Sequence, residues 1–153
     1  MRKELYVKIA EALLSLKGED DEQLVKYVNM WNQNVEFIDE ESPWERPAVF
    51  VEFMPIDWQR VKDGSRMVCH ACSQLKLHIV TDFKGEYGAS DVENIPTTEL
   101  EQFDLPDKIA RAMVCLDGDH FGNVMLLEST SNHNHSEIVE VVDTYKYDCE
   151  MFL

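Results

Sequence analysis

From Met67 to Phe83 the chain alternates between two kinds of side chain. Met67, Cys69, Ala71, Ser73, Leu75, Leu77, Ile79 and Phe83 fall on one side, and Val68, His70, Cys72, Gln74, Lys76, His78 and Asp82 on the other. That period of two belongs to a strand with one buried face and one wetter face. Val80 and Thr81 break the pattern only mildly. A strand of this length cannot stand alone, so the rest of the chain must supply pairing partners and a cover for its apolar side.

The partners can be read in chain order. Leu5, Ile9, Ala12, Leu13 and Leu16 recur with helical spacing and form a single apolar stripe, with Gly18 placed to end the helix near Lys17. Glu19 to Glu22 is an acidic turn, too charged to bury. Residues 18–46 read as an irregular insertion. In it Val25, Tyr27 and Trp31 alternate like a strand, yet Leu24, Val28 and Trp31 also suit a helical turn. Asp39 to Pro47 is an acidic loop. Pro47 to Phe53 is a short strand, with Pro47 at its start where a missing N–H costs least. Trp58 to Ser65 connects it to the long strand, with Asp63-Gly64 as a turn signal, so the two strands form a hairpin with a wide connection.

Lys84 to Pro96 is a long loop rich in Gly, Ser, Asp and Asn. A second helix follows. Asp104 is placed to cap it, Pro106 is tolerated in its first turn, Leu105, Ile109, Ala112, Met113 and Leu116 form its stripe, and Gly118 stops it. Asn123 to Thr130 is a third strand, and Ser131 to Ser136 its turn. The final segment alternates almost without fault, with Val139, Val141, Tyr145, Tyr147, Cys149, Met151 and Leu153 on one side. The expected fold is therefore α+β in one domain: a mainly antiparallel four-stranded sheet in the order α-β-β-α-β-β, with two helices packed on one face.

At 153 residues the chain can bury a core without disulfide or metal staples. Its 30 Asp and Glu against 14 Lys and Arg leave a formal charge of −16, which argues against sequence-independent binding to nucleic acid and favours a basic partner. A plain acidic, solvated surface accounts for the same number. No apolar run reaches the length of a membrane span, and the first 22 residues mix Glu and Lys into their apolar stretch, unlike a secretory signal. The four cysteines are accordingly expected as thiols in a reducing cytoplasm.

Candidate chemistry is sparse. Cys69-His70-Ala71-Cys72 has the spacing of a zinc or dithiol motif, but on one strand residues three apart point to opposite faces. No second pair of this kind exists, and Cys115 and Cys149 stand apart. His120, His133 and His135 could gather around a metal, although the last two sit in a turn of Ser and Asn where solvated His is common. Asp117-Gly118-Asp119 lacks the spaced carboxylates of a calcium loop. No phosphate loop, nucleophile elbow or zinc-protease helix occurs. No catalytic residue, metal ligand or cofactor is therefore expected. The candidate contacts are with partners: Trp31, Trp44 and Trp58, because Trp is favoured at interface hot spots, and Glu86, Tyr87 and Asp91 in the long loop.

The order of elements resembles the tail terminator and tail completion proteins of long-tailed bacteriophages. The resemblance rests on the opening helix, the PAVFVEF strand, the QLKLHIVTDF strand, the LPDKIARAMVCLDG helix and the closing EIVEVVDTYKYDCEMF strand. It implies a non-enzymatic subunit of a cyclic homo-oligomer, usually a hexamer, joining the phage tail tube to head-completion proteins. Such a subunit would be cytoplasmic in the bacterial host and part of the virion once assembled. The alternatives are an acidic adaptor domain that binds other proteins in a bacterial cytoplasm, and a small enzyme using Cys69 or Cys72.

Overall fold

The computed structural model describes residues 1–32, 44–132 and 136–153. Helix α1 spans Arg2–Leu14 and buries Leu5, Ile9 and Leu13 of the predicted stripe, while Leu16 packs on the same core from just beyond its end. It ends three residues before Lys17. The chain then reverses through the acidic turn: Gly18 N–H donates to the Glu22 carbonyl at 2.8 Å, and Leu24 N–H to the Leu16 carbonyl at 3.1 Å. It continues into β1, Tyr27–Met30. Part of the expected irregular insertion is thus a strand. Four residues are too few for periodicity to separate strand from helix. Residues 39–43 of the acidic loop lie outside the described residues.

Strand β2 is Ala48–Phe53, and β1 runs parallel to it in the register Tyr27 to Ala48 through Met30 to Val51. The connection to the long strand is not irregular. It holds β3, Gln59–Asp63, which folds onto the start of β4, Arg66–Asp82. Their two-residue turn is Gly64-Ser65, and Gly64 takes the positive φ of 60° that a tight hairpin needs at this position. β2 pairs antiparallel with the other half of β4, from Ala48–Val80 to Phe53–Leu75. One edge of β4 thus serves two strands in succession.

The loop 84–96 is only partly irregular, because Val92–Asn94 is a 3₁₀ turn. A short helix, α2, Thr97–Leu100, and a second 3₁₀ turn lead directly into α3, Leu105–Val114. Asp104 lies within that continuous winding and makes no side-chain cap. α3 also ends before Gly118. Gly118 instead fits where a Cβ would fall 2.3 Å from Glu4 Oε1 and 2.5 Å from the Phe121 ring. β5, Phe121–Asn132, and β6, Ile138–Phe152, complete the sheet.

The sheet runs β1-β2-β4-β6-β5, with β3 beside β2 on the same edge of β4. Six strands replace the expected four, and only the β1–β2 pair is parallel. The centre is the β4–β6 ladder, paired without a break from Val68–Phe152 to Asp82–Ile138. α1 and α3 cover one face. There Leu5, Ile9, Ile109 and Met113 meet Val49, Val51, Leu75, Leu77, Tyr145 and Tyr147. At about 1.5–3 kcal/mol for each large apolar side chain buried, this face supplies the main driving force for folding. The opposite face is not merely half-wet. At one end it carries a second apolar cluster of Ala48, Phe50, Val80 and Ile138, with Tyr27, Trp31 and Trp44 packed on it.

Candidate functional site

The face without helices holds the densest chemistry in the molecule. His78 projects from the middle of β4 between Glu52 on β2 and Glu140 on β6. Its Nδ1 lies 2.7 Å from Glu140 Oε1 and its Nε2 2.8 Å from Glu52 Oε2. Glu140 also accepts from Asn132 Nδ2 at 2.8 Å. His78 and Glu140 are buried, and Glu52 is half-buried. An ionised carboxylate can only accept, so with both acids charged the ring donates from both nitrogens and carries the compensating positive charge. Trp31 lies flat on the imidazole, with ring centroids 3.7 Å apart and planes 1° apart. The two acids take opposite edges of the ring and do not converge on a shared point. The ring thus has an acceptor at each nitrogen and stacks on Trp31 through its face.

Of the three candidate tryptophans, Trp31 and Trp44 pack on the same residue, Phe50. Both meet Phe50 edge-on, at 6.3 and 5.0 Å between centroids. Trp58 is not part of this group. It is half-buried against the helix-covered core on the opposite face.

Trp31 also forms one end of a groove. β1 stops its pairing at Val51, while β2 runs on to Phe53. The side of Glu52 and Phe53 that β1 leaves free forms a groove of about 520 Å³, walled by Arg2, Lys3 and Tyr6 of α1 and by Met30. The Arg2 guanidinium sits 5.9 Å from the centre of the Phe53 ring. On a chain of charge −16, this groove holds two cations against one carboxylate, Glu52, which is engaged with His78. A second cleft, about 560 Å³, lies between the acidic turn and the α2–α3 region. It is lined by charges of both signs, and Arg46 and Asp82 pair with each other beside it.

The loop candidates separate into different roles. Tyr87 packs between Phe83 and Phe103, at 5.4 and 5.3 Å, and hydrogen-bonds Gln102 through its hydroxyl. It anchors the loop. Asp91 caps the 3₁₀ turn, with Oδ1 accepting from the N–H groups of Glu93 at 3.1 Å and Asn94 at 3.0 Å. Glu86 is an exposed surface carboxylate. Cys69 is buried and Cys72 exposed, as expected for residues three apart on one strand. His133 and His135 lie outside the described residues. His120 is far in sequence from its partner: Nδ1 meets Glu4 Oε2 at 2.9 Å, while Glu4 Oε1 accepts from Asp119 N–H at 2.6 Å. Burial pushes the Glu4 carboxyl up, but the bonds from His120 and Asp119 outweigh it and hold it below the ordinary value.

Sequence patterning did not reveal the Glu52–His78–Glu140 cluster. Its members are separated by 26 and 62 residues, and each occupies an ordinary polar position of its strand. The available signal was that Phe50, Val80 and Val142, large and apolar, stand on that same supposedly wet face.

No protein-family model matches this sequence, and no curated protein matches it. Among solved structures, the fold is similar to a chain in the virion of a native gene transfer agent particle. The TM-score is 0.50 at 10% sequence identity, and the match covers 99% of this chain and 95% of that one. At this identity the likeness is one of fold.

Proposed function

We propose that this protein is a non-enzymatic structural subunit of a phage-like particle, and within that class a tail terminator or completion subunit that forms a ring at the head–tail junction. The observation that carries the reading is the end-to-end correspondence with a virion chain, which leaves almost nothing of either chain unmatched. The residues add physical support. Among the described residues, the carboxylates of the buried Glu52–His78–Glu140 cluster take opposite edges of one imidazole, and the edge strand β5 exposes Met125, Leu126 and Leu127. A charge of −16 would let a ring surround DNA without holding it, because phosphates would be repelled from the lumen. In this reading the protein works in the bacterial host during assembly and remains in the finished particle, with the tail tube and head-completion proteins as its partners.

Immunogold labelling of particles from the source cell tests the assignment. Label confined to one point between head and tail, with separated heads and tails after deletion of the gene, is the expected result. Normal joined particles from the deletion strain would refute it.

A further inference from the structure

The register of the sheet places two unlike edges on one line. Phe53 pairs with Leu75, Leu75 with Tyr145, and Tyr145 with Leu126. These four residues form a single row across the sheet, from the groove beside β2 to the outer edge of β5. The next row is Glu52, Lys76, Thr144 and Glu128.

The β5 end of these rows is unusual for this chain. Met125, Leu126 and Leu127 are 50, 40 and 47% exposed on a strand at the end of the sheet. Glu128 is the single charged residue from Phe121 to Asn132, in a protein where 29% of residues are charged. Edge strands are ordinarily guarded by charge or proline. Here two register shifts flank Met125 and Leu126, where the ladder to β6 is locally broken. The groove end has complementary character: apolar Met30, Tyr6 and Phe53, and the cations of Arg2 and Lys3, while its one carboxylate, Glu52, is engaged with His78.

We propose that the Met125–Glu128 corner of one copy seats in the groove lined by Arg2, Lys3, Tyr6, Met30 and Phe53 of the next, and that this head-to-tail contact is the repeating interface of the ring. The inference rests on the ring reading above and names the surfaces that would build it. The apolar corner meets the apolar floor, and Glu128 faces the Arg2 and Lys3 cations. Because donor and acceptor surfaces differ and lie at opposite ends of one row, each copy keeps one of each free. The contact then propagates until rotation closes it. Trp31, fixed by His78, forms the rigid end of the groove.

Sedimentation of the wild type and its variants at about 0.15 M salt, where charge pairs still act, tests the interface. Arg2→Glu and Glu128→Arg are each expected to weaken association by about tenfold or more, and the double variant to recover most of it. Leu126→Asp, at a half-exposed site, is expected to be folded by circular dichroism and unable to assemble. Mixed with Arg2→Glu, it should form one-to-one pairs that grow no further, since each variant retains the surface the other has lost. Wild-type oligomers that persist in every variant would overturn this interface and leave the ring standing. Loss of assembly in Glu128→Arg and Leu126→Asp without any effect of Arg2→Glu would indicate β5-to-β5 pairing and would also overturn it. A wild type that stays monomeric at all concentrations and salts would overturn both the interface and the ring.

Discussion

Asp143 shows how a single residue can contradict its strand and still be built in. It lies on the helix-covered face of β6, 1% exposed, among Tyr145, Tyr147 and the apolar core. Its Oδ1 and the hydroxyls of Tyr145 and Tyr147 form no well-aligned hydrogen bond among the described residues. Burial pushes the Asp143 carboxyl up and the charge of Asp107 adds to this, while the nearby Ser129 hydroxyl opposes it. Burial, with the charge of Asp143, likewise holds the Tyr145 phenol far above its ordinary range. The sign of the linkage follows. A carboxyl whose folded value is raised keeps its proton longer in the native state than in the unfolded chain. Stability is therefore lost as pH rises from the unfolded value of about 3.9 through the raised native value. Asp143→Asn should raise the thermal midpoint at about pH 8 and leave it nearly unchanged at about pH 3, below both values. A loss of stability at about pH 8 that is absent at about pH 3 would show instead that the carboxylate has a favourable partner. Glu4 has the opposite sign. Its value is lowered, so the link from α1 to the turn before β5 is lost as pH falls through that lowered value.

At the scale of elements, the Glu52–His78–Glu140 cluster ties β2, β4 and β6 together and supports the end of β1 through Trp31. Removing one member of a buried charge set leaves the others without compensation, which costs on the order of 3–5 kcal/mol. His78→Ala should approach that loss. Glu52→Gln should cost clearly less, because Glu52 is half-exposed and water can take the place of its bond. Chemical denaturation compares the two, and equal losses would show that the cluster does not act through burial. Trp31 fluorescence should change in His78→Ala, since its stacking partner is gone. The loop has a similar single anchor. Tyr87→Ala should speed amide exchange over residues 84–88 while leaving β4 protected, because the two ring contacts and the Gln102 bond are removed together. The same scale explains what the sequence could show. α1, α3, β4 and β6 were legible because their apolar stripes repeat over ten or more residues. β1 and β3, at four and five residues, are too short to establish a period, and β3 is polar at most positions. The tryptophan pair on the second face could be named, but not its support, because Glu52, His78 and Glu140 meet only through strand register. Asp143 was invisible for the opposite reason: it interrupts an apolar face, so patterning passes over it.

For the whole molecule, the decisive quantity is charge. Each copy carries −16, and assembly into the proposed ring would bring several such charges within a molecular diameter. The proposed contact offers one favourable set in return, Glu128 against Arg2 and Lys3. Salt weakens both, but unequally. The screening length falls from about 30 Å at 0.01 M to about 8 Å at 0.15 M salt. Repulsion between whole subunits acts over distances longer than the second of these, whereas a seated ion pair acts over a few ångströms and is screened much less. The apolar part of the contact, Met125 to Leu127 against Met30, Tyr6 and Phe53, is not weakened by salt at all and is strengthened by salts excluded from the surface. Association should therefore increase with salt: monomers or small oligomers in dilute low-salt buffer, and larger species as salt and concentration rise. Light scattering across a salt series measures this directly. Association that falls as salt is added would mean that attraction between opposite charges dominates the contact, and would point to an interface with many more cations than the groove beside Phe53 provides.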